Sequence, residues 1–274
     1  MACLESCHLN CIKITRDKGG NFYQVKDASV CVQCGQCDKV CPLIDVNNLN
    51  YPNKAYIAWN KNRNLNKRSA SGGIAVAIYR YCLQNGIICV GVKFDSNQKA
   101  RYGIISDLKE LEMYVSSKYV YSHMGKIYIK ILNLLRKGEK VLFIGLPCHV
   151  SALKKWLHQE YKNLFLVDLV CHGTVPENIL LKHIYKFKGV CKENIGNICF
   201  READNQYGIT IKGKNNQILK KITKDEDKYM IAFCNGISYF EQCYMCKYAR
   251  KERCSDITLK DFSGKKFIKK SFFH

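Results

Sequence analysis

The 274-residue chain has no uninterrupted apolar run near the roughly 18–20 residues that a bilayer-spanning helix needs, so no membrane span is expected. Its first residues, MACLESCHLN, lack a basic segment followed by an apolar stretch, and no secretory signal peptide is expected. Acidic residues are scarce: 23 Asp and Glu stand against 44 Lys and Arg, a formal net charge of +21. A field of that sign draws anions, whether nucleic acid, acidic membrane, a phosphate-bearing cofactor or an acidic redox partner. The lysines are spread rather than gathered into one basic arm, and no nucleic-acid recognition motif of the usual kinds occurs, so nucleic acid is not expected as a partner. There is no low-complexity tract, and no long internal repeat beyond two cysteine runs.

Cysteine, in contrast, is abundant, with 17 residues. The chain is too long and its cysteine spacing too metal-like for a small extracellular disulfide framework. A protein of a reducing cytoplasm is therefore expected. The run Cys31-x2-Cys34-x2-Cys37-x3-Cys41-Pro42 has the spacing that holds a 4Fe–4S cluster in bacterial ferredoxins. Two-residue gaps let a tight loop wrap three thiolates round one face of a cubane. The fourth cysteine of such a run ligates the other cluster when two are present. Zinc more often takes two separated Cys-x2-Cys pairs, or cysteines with histidines.

Residues 1–50 read as a ferredoxin-like module, with Gly19-Gly20 as a turn between short strands. Counting the first run backwards from Cys11 gives one centre from Cys11, Cys31, Cys34 and Cys37. The second centre has Cys41, Cys7 and Cys3, one thiolate short. Cys3 lies one residue from the expected Leu4, and the first ligand would fall on Met1. That centre is absent, three-iron or completed by a non-cysteine ligand, or the true start lies upstream.

The polar stretch 45–53, with its proline, reads as a linker. From residue 51 to 274, strands and helices alternate, which predicts an α/β domain with a largely parallel sheet. Strands are expected at 55–59 (AYIAW), 87–94, 140–145 and 164–170, with Asp95-Ser96-Asn97 as a turn. A helix is expected over 71–83 with Ile74, Ile78 and Cys82 inward, and another over 125–136 with Ile127, Ile131 and Leu134 inward, ended by Gly138. Residues 209–222 read as a hairpin.

Three loops fall at strand-to-helix junctions, the edge at which open α/β sheets bind ligands. Ser69-Ala70-Ser71-Gly72-Gly73 leads into a helix, suiting close approach of a phosphate or an ordinary N-cap. In Gly145-Leu146-Pro147-Cys148-His149, Pro147 suits the first helical position, and the helix start is expected to lower the Cys148 pKa. Cys171-His172-Gly173 repeats a cysteine beyond a strand end; His172 is open as a ligand, a proton donor or a capped structural residue. The clip Cys243-x2-Cys246 supplies half a metal site, and Cys148 with Cys171 would complete four thiolates. Cys82, Cys89, Cys191, Cys199 and Cys234 are expected as buried structural thiols.

These signatures, with Ser117-Lys118-Tyr119-Val120 and the region from Cys243 to Gly264, resemble the family of coenzyme F420 hydrogenase/dehydrogenase β subunits, in the branch with an amino-terminal ferredoxin module. The resemblance implies an FAD-containing α/β domain with iron–sulfur clusters, passing electrons between a two-electron donor or acceptor, such as a deazaflavin, and one-electron clusters. It implies flavin or phosphate contacts from Ser69, Ser71, Gly72, Gly73, Ser117 and Lys118. Lys118, as a cation near reduced flavin, and His172 are the catalytic candidates. The +21 charge suits anionic FAD and an acidic deazaflavin. The family's Thr and Gln around the Pro-Cys pair are Leu146 and His149 here, and its Thr-Leu-Gly-Asp-Phe-Trp-Gly is Thr258-Leu259-Lys260-Asp261-Phe262-Ser263-Gly264. The chain then stops where relatives usually continue, pointing to a frameshift or early stop and an incomplete site. The expected protein is an iron–sulfur flavoprotein oxidoreductase working with a redox partner protein or subunit. The alternative is a non-enzymatic, ferredoxin-like subunit that delivers electrons to a partner enzyme.

Overall fold

The computed structural model describes residues 2–18, 21–46, 49–62, 65, 69–201 and 207–262. Met1, the Gly19-Gly20 turn, positions 47–48 of the expected linker, Ser263-Gly264 and residues 265–274 lie outside them.

The cysteine-dense end is a small α/β unit. Helix α1 (Ala2–Ser6) precedes an antiparallel hairpin of β1 (Ile12–Arg16) and β2 (Phe22–Lys26), with Ile12 opposite Lys26 and Arg16 opposite Phe22. The cysteine run then winds through a loop with left-handed φ at Gln33 (54°) and Gly35 (71°) into the single turn α2 (Gln36–Lys39).

The following elements are α3 (Ile74–Gln84), β3 (Ile88–Phe94), β4 (Ala100–Ile105), α4 (Ile127–Arg136), β5 (Val141–Gly145), α5 (Pro147–Leu157) and β6 (Leu164–Leu169). After them come α6 (Glu177–Ile184), β7 (Ile195–Arg201), β8 (Tyr207–Gly213), β9 (Ile218–Thr223), α7 (Lys228–Cys234), α8 (Glu241–Tyr244) and β10 (Ile257–Leu259). The main sheet runs β10-β6-β5-β3-β4, parallel except for the antiparallel β3–β4 edge. The expected mixed α/β class with a largely parallel sheet is what forms. A separate antiparallel sheet, β7-β8-β9, contains the expected hairpin.

Strand β5 is buried at every residue because both faces of the sheet are covered. Side chains alternate across a strand, so Val141 and Phe143 join the apolar cluster of α4 and α5, while Leu142 and Ile144 join that of α3. Full burial of one Ile or Leu contributes about 1.5–3 kcal/mol, and Ile131 at the centre of α4 is 0% exposed. The carboxyl ends of β5 and β6 are thereby fixed, and Cys148 and Cys171 follow directly from them.

Five expectations are corrected. Residues 54–60 form no strand: AYIAW is exposed, with Tyr56 80% accessible, because β4 occupies that sheet edge and supplies no partner for it. Helix α3 begins at Ile74 rather than 71, since Gly73 takes a left-handed φ of 75° that ends the preceding loop. Its buried face is Val76, Tyr79 and Cys82, leaving Ile74 and Ile78 only half-buried; in α4 the last inward position is Leu135 rather than Leu134. Cys82 and Cys89 are buried, but Cys199 is half-buried and Cys191 and Cys234 are exposed, at helix and loop ends beyond the core. Among the described residues no helix is long and apolar enough to cross a membrane.

Candidate functional site

Cys148, Cys171, Cys243 and Cys246 come from three separated segments and are all half-buried. Pro147 opens α5 at its first position, where its missing N–H matters least, and this sets Cys148 in the first turn. Cys171 follows the end of β6, Cys243 lies in α8 and Cys246 just beyond it. Burial, then the neighbouring thiols of Cys171, Cys246 and Cys243, push the Cys148 pKa well up. Burial, with Cys243 and Cys246, pushes Cys171 up to about 11. The expected lowering of Cys148 by the helix start is thus overturned: desolvation and thiol crowding outweigh a half-charge at a helix end.

Such a crowd repels itself once ionised and is relieved by a cation, and soft thiolates select zinc, copper(I) or iron–sulfur centres. Among the described residues no three His, Cys, Asp or Glu side chains close on one point to hold a single metal ion. A cubane places its thiolates on different irons, so its ligands need not meet at a point. The four thiols fit that larger group in chemistry and burial.

In the amino-terminal unit, Cys11 is buried, Cys34 exposed, and Cys3, Cys7, Cys31, Cys37 and Cys41 half-buried. The Cys7 and Cys11 sulfurs are 3.3 Å apart. Hydrogen bonding to Cys7, then burial and Cys31, push Cys11 up to about 12. Cys3 is raised by burial, with Cys41 and Cys37 among its neighbours. Cys7 thus adjoins Cys11, and Cys37 is a neighbour of Cys3, so members of the two expected ligand sets lie side by side rather than in two separate groups.

The two thiol groups share a wall. Lys155 on α5 donates to the carbonyls of Cys41 (3.0 Å) and Asp45 (2.5 Å). Tyr248, two residues after Cys246, donates to the Pro42 carbonyl at 2.9 Å and lies 2.7 Å from the Ser151 hydroxyl. Tyr121 is buried between the groups: burial, then the thiols of Cys148, Cys3 and Cys243, raise its pKa. Phe22 from the hairpin packs edge-on against Tyr121 and Phe240, with ring centroids 4.7 and 4.8 Å away.

The remaining expected residues lie elsewhere. Ser69 is buried and donates to the Leu65 carbonyl at 2.7 Å, a structural tie. Ser71 and Gly72 are half-buried, and the Gly72 carbonyl accepts from Asn60 at 2.7 Å. Helix α3, which this loop opens, packs in a different apolar cluster from Cys148, Cys246 and Cys243. Ser117 is half-buried beside Lys118, whose Nζ donates to the carbonyls of Val115 (2.7 Å) and Ser116 (3.1 Å). Burial pulls the Lys118 pKa down to about 8. Ser116 has a left-handed φ of 71°, and among the described residues its buried Oγ has no partner. A confined ammonium, a strained backbone and an orphaned hydroxyl fit an anionic cofactor. His172 is exposed, its Nδ1 hydrogen-bonded to the Tyr239 hydroxyl. The Tyr239 ring fills the space where a Gly173 Cβ would stand, 2.3 Å away, and Gly173 has φ 138°.

Sequence reasoning missed Tyr121, Tyr248, Glu177 and the Asp168–Arg253 pair. Tyr248 lies two residues beyond the second cysteine of the clip, which was the one available hint. Asp168, the single charge in the otherwise apolar strand Leu164–Leu169, was the other.

Residues 55–128 and 138–271 match the amino- and carboxyl-terminal parts of one family, described as coenzyme F420 hydrogenase/dehydrogenase, beta subunit. The coenzyme F420-dependent sulfite reductase of Methanocaldococcus jannaschii is 25% identical over 274 aligned residues, covering 83% of this chain and 41% of the relative. A subunit of the F420H2 dehydrogenase of Methanosarcina mazei is 23% identical over 176 residues, covering 61% of this chain and 47% of the relative. A chain of the F420-reducing NiFe hydrogenase complex of Methanosarcina barkeri aligns with a TM-score of 0.48 at 15% identity, over 70% of this chain and 66% of that one. The chain spans under half the length of the curated relatives it matches. With both parts of the family matched in order along it, the chain belongs to the family of coenzyme F420 hydrogenase/dehydrogenase beta subunits.

Proposed function

We propose that this chain is an iron–sulfur flavoprotein oxidoreductase that passes electrons between clusters and a flavin-linked two-electron partner, a deazaflavin such as coenzyme F420 or another substrate. The observation that carries the reading is the convergence of the half-buried Cys148, Cys171, Cys243 and Cys246, in segments whose Lys155 and Tyr248 bind the Cys41-Pro42 turn of the cysteine-dense unit. Cys11, Cys31, Cys34 and Cys37 would hold one cluster, and the half-buried quartet another. Cys3, Cys7 and Cys41 remain one thiolate short of a third. A flavin supplies two-electron chemistry on one side and one-electron exchange with clusters on the other.

The chain's own residues set the conditions. Tyr121, Phe22 and Phe240 exclude water from the wall between the two thiol groups. Lys118, anchored by two carbonyls, would hold an anionic cofactor group and offset negative charge there; Ser71, Gly72, Gly73 and Ser117 would contact its phosphates. His172 Nδ1 donates to the Tyr239 hydroxyl oxygen, whose own proton goes to the Phe233 carbonyl, at a position beside Cys171.

A second reading is a subunit that only relays electrons to a partner. It is favoured by the exposed Cys34 with Val32 65% accessible beside it in the run. Anaerobic purification with iron, sulfide and flavin quantitation and electron paramagnetic resonance tests both. Bound flavin and two distinguishable clusters are expected, and Cys246→Ser should remove one of them. Iron and sulfide with no flavin would favour the relay. An unchanged iron-to-protein ratio in Cys246→Ser would remove the inner cluster, and a pale zinc protein would end both readings.

A further inference from the structure

We propose that Arg253 is the positioning residue of the inner four-cysteine centre, tying together the segments that carry its thiols and fixing a positive charge beside Cys171. This rests on the reading that the quartet holds an iron–sulfur centre.

Arg253 is 8% exposed. Its Nη2 lies 3.0 Å from Asp168 Oδ2 and donates to the Leu169 carbonyl at 3.3 Å, two residues before Cys171. Its Nη1 donates to the carbonyls of Tyr248 (3.5 Å), two residues after Cys246, and Arg250 (3.4 Å). The next residue, Cys254, donates its thiol to the Pro147 carbonyl at 3.3 Å, immediately before Cys148. The Arg253 main chain pairs in both directions with Asn50, each bond 2.9 Å, on the path from the cysteine-dense unit. One dipeptide therefore grips the backbone beside Cys148, Cys171 and Cys246.

The electrostatics point the same way. Asp168 is 0% exposed, and among the described residues its Oδ1 and the Arg253 Nε have no hydrogen-bond partner. A buried ion pair with an orphan atom on each side is a poor stabiliser, and an apolar pair of similar volume would serve the fold as well or better. The guanidinium is held at the Leu169 carbonyl, two residues before Cys171, so its positive charge stands in the segment that carries that thiol. A one-electron reduction adds negative charge to the centre without making or breaking a bond to the protein. In a low-dielectric interior a fixed cation beside a ligand thiolate stabilises that form. Asp168 opposes it and holds the guanidinium in place.

The test is a redox titration of the full chain, prepared anaerobically, with dithionite as reductant and electron paramagnetic resonance as readout. Arg253→Gln should make reduction of the inner centre at least tenfold less favourable, a shift of about 59 mV to lower potential for one electron, with the ferredoxin-type centre unmoved. Arg253→Lys keeps the charge and loses the fork, so it should recover most of the potential. Asp168→Asn should shift it upward. If Arg253→Gln does not fold, these last two variants decide the matter. An inner centre with full iron and an unmoved potential in Arg253→Gln or Asp168→Asn overturns the proposal. Equal shifts of both centres do the same. Wild-type protein with no inner centre overturns it together with the reading beneath it.

Discussion

Arg16, at the end of the first hairpin, closes an ion pair with Glu177 at the start of α6, across 161 positions of sequence. The Glu177 side chain is 3% exposed and also receives Lys99 Nζ at 3.1 Å and His123 Nε2 at 2.5 Å. Burial alone would raise its pKa; the hydrogen bonds from His123 and Arg16 outweigh that and hold it well below the usual carboxylate range. Glu177→Ala leaves three partly exposed donors without their acceptor and should lower stability by about 1–3 kcal/mol, measured by urea unfolding. A loss within about 0.5 kcal/mol, the range of an ordinary surface change, would refute the clasp. Because the folded pKa is depressed, the contribution is complete above the unfolded glutamate value, near about pH 4.3. It erodes only as the pH falls below that.

His149 reports on acid in the opposite sense from a surface histidine. It is buried, with Nδ1 2.9 Å from the Tyr102 hydroxyl, and burial lowers its pKa to about 3. The unfolded chain binds the proton first, so stability falls as pH drops from the ordinary histidine value towards about 3. Between pH 7 and pH 5 the loss from this group should be about 2 kcal/mol. Urea titrations of wild type and His149→Gln at both values measure it. An identical pH dependence in the two proteins would refute it.

Lys118 should matter more to a ligand than to the fold. Burial of its ammonium, with a pKa near 8, is a strain that an anion would relieve. Lys118→Met is expected to reduce flavin retained through purification at least tenfold while leaving iron per chain unchanged. Unchanged flavin content would remove Lys118 from the cofactor site.

Gly173 is irreplaceable on steric grounds. A methyl there would lie 2.3 Å from the Tyr239 ring at φ 138°. Gly173→Ala should lower stability by about 1–3 kcal/mol, as strain at such a backbone does. It should also break the His172–Tyr239 hydrogen bond, visible as a changed imidazole proton resonance. A wild-type melting curve would argue that the loop simply moves aside.

The main sheet was legible because β5 and β6 are short apolar runs between turn residues, and both faces of a parallel sheet demand such runs. AYIAW has the same composition, and composition cannot say whether a neighbouring strand exists to pair with it. The inward face of α3 was read from Ile74 and Ile78, but Tyr79 is the side chain that reaches the core and it turns the helix accordingly. The quartet was assembled from strand-end positions plus a cysteine pair. Its surroundings were not, because Glu177, Tyr121 and Arg253 find their partners only through tertiary folding. For Cys148, the helix start was visible in Pro147, whereas the burial that outweighs it depends on residues far along the chain.

The clamps of Lys155 on Cys41 and of Tyr248 on Pro42 constrain biosynthesis as well as geometry. Once these bonds shut, the two cysteine-bearing segments can no longer part, while their thiols stay partly open to solvent. A metallocentre that forms here would be loaded through that open side, with the two segments already held in place.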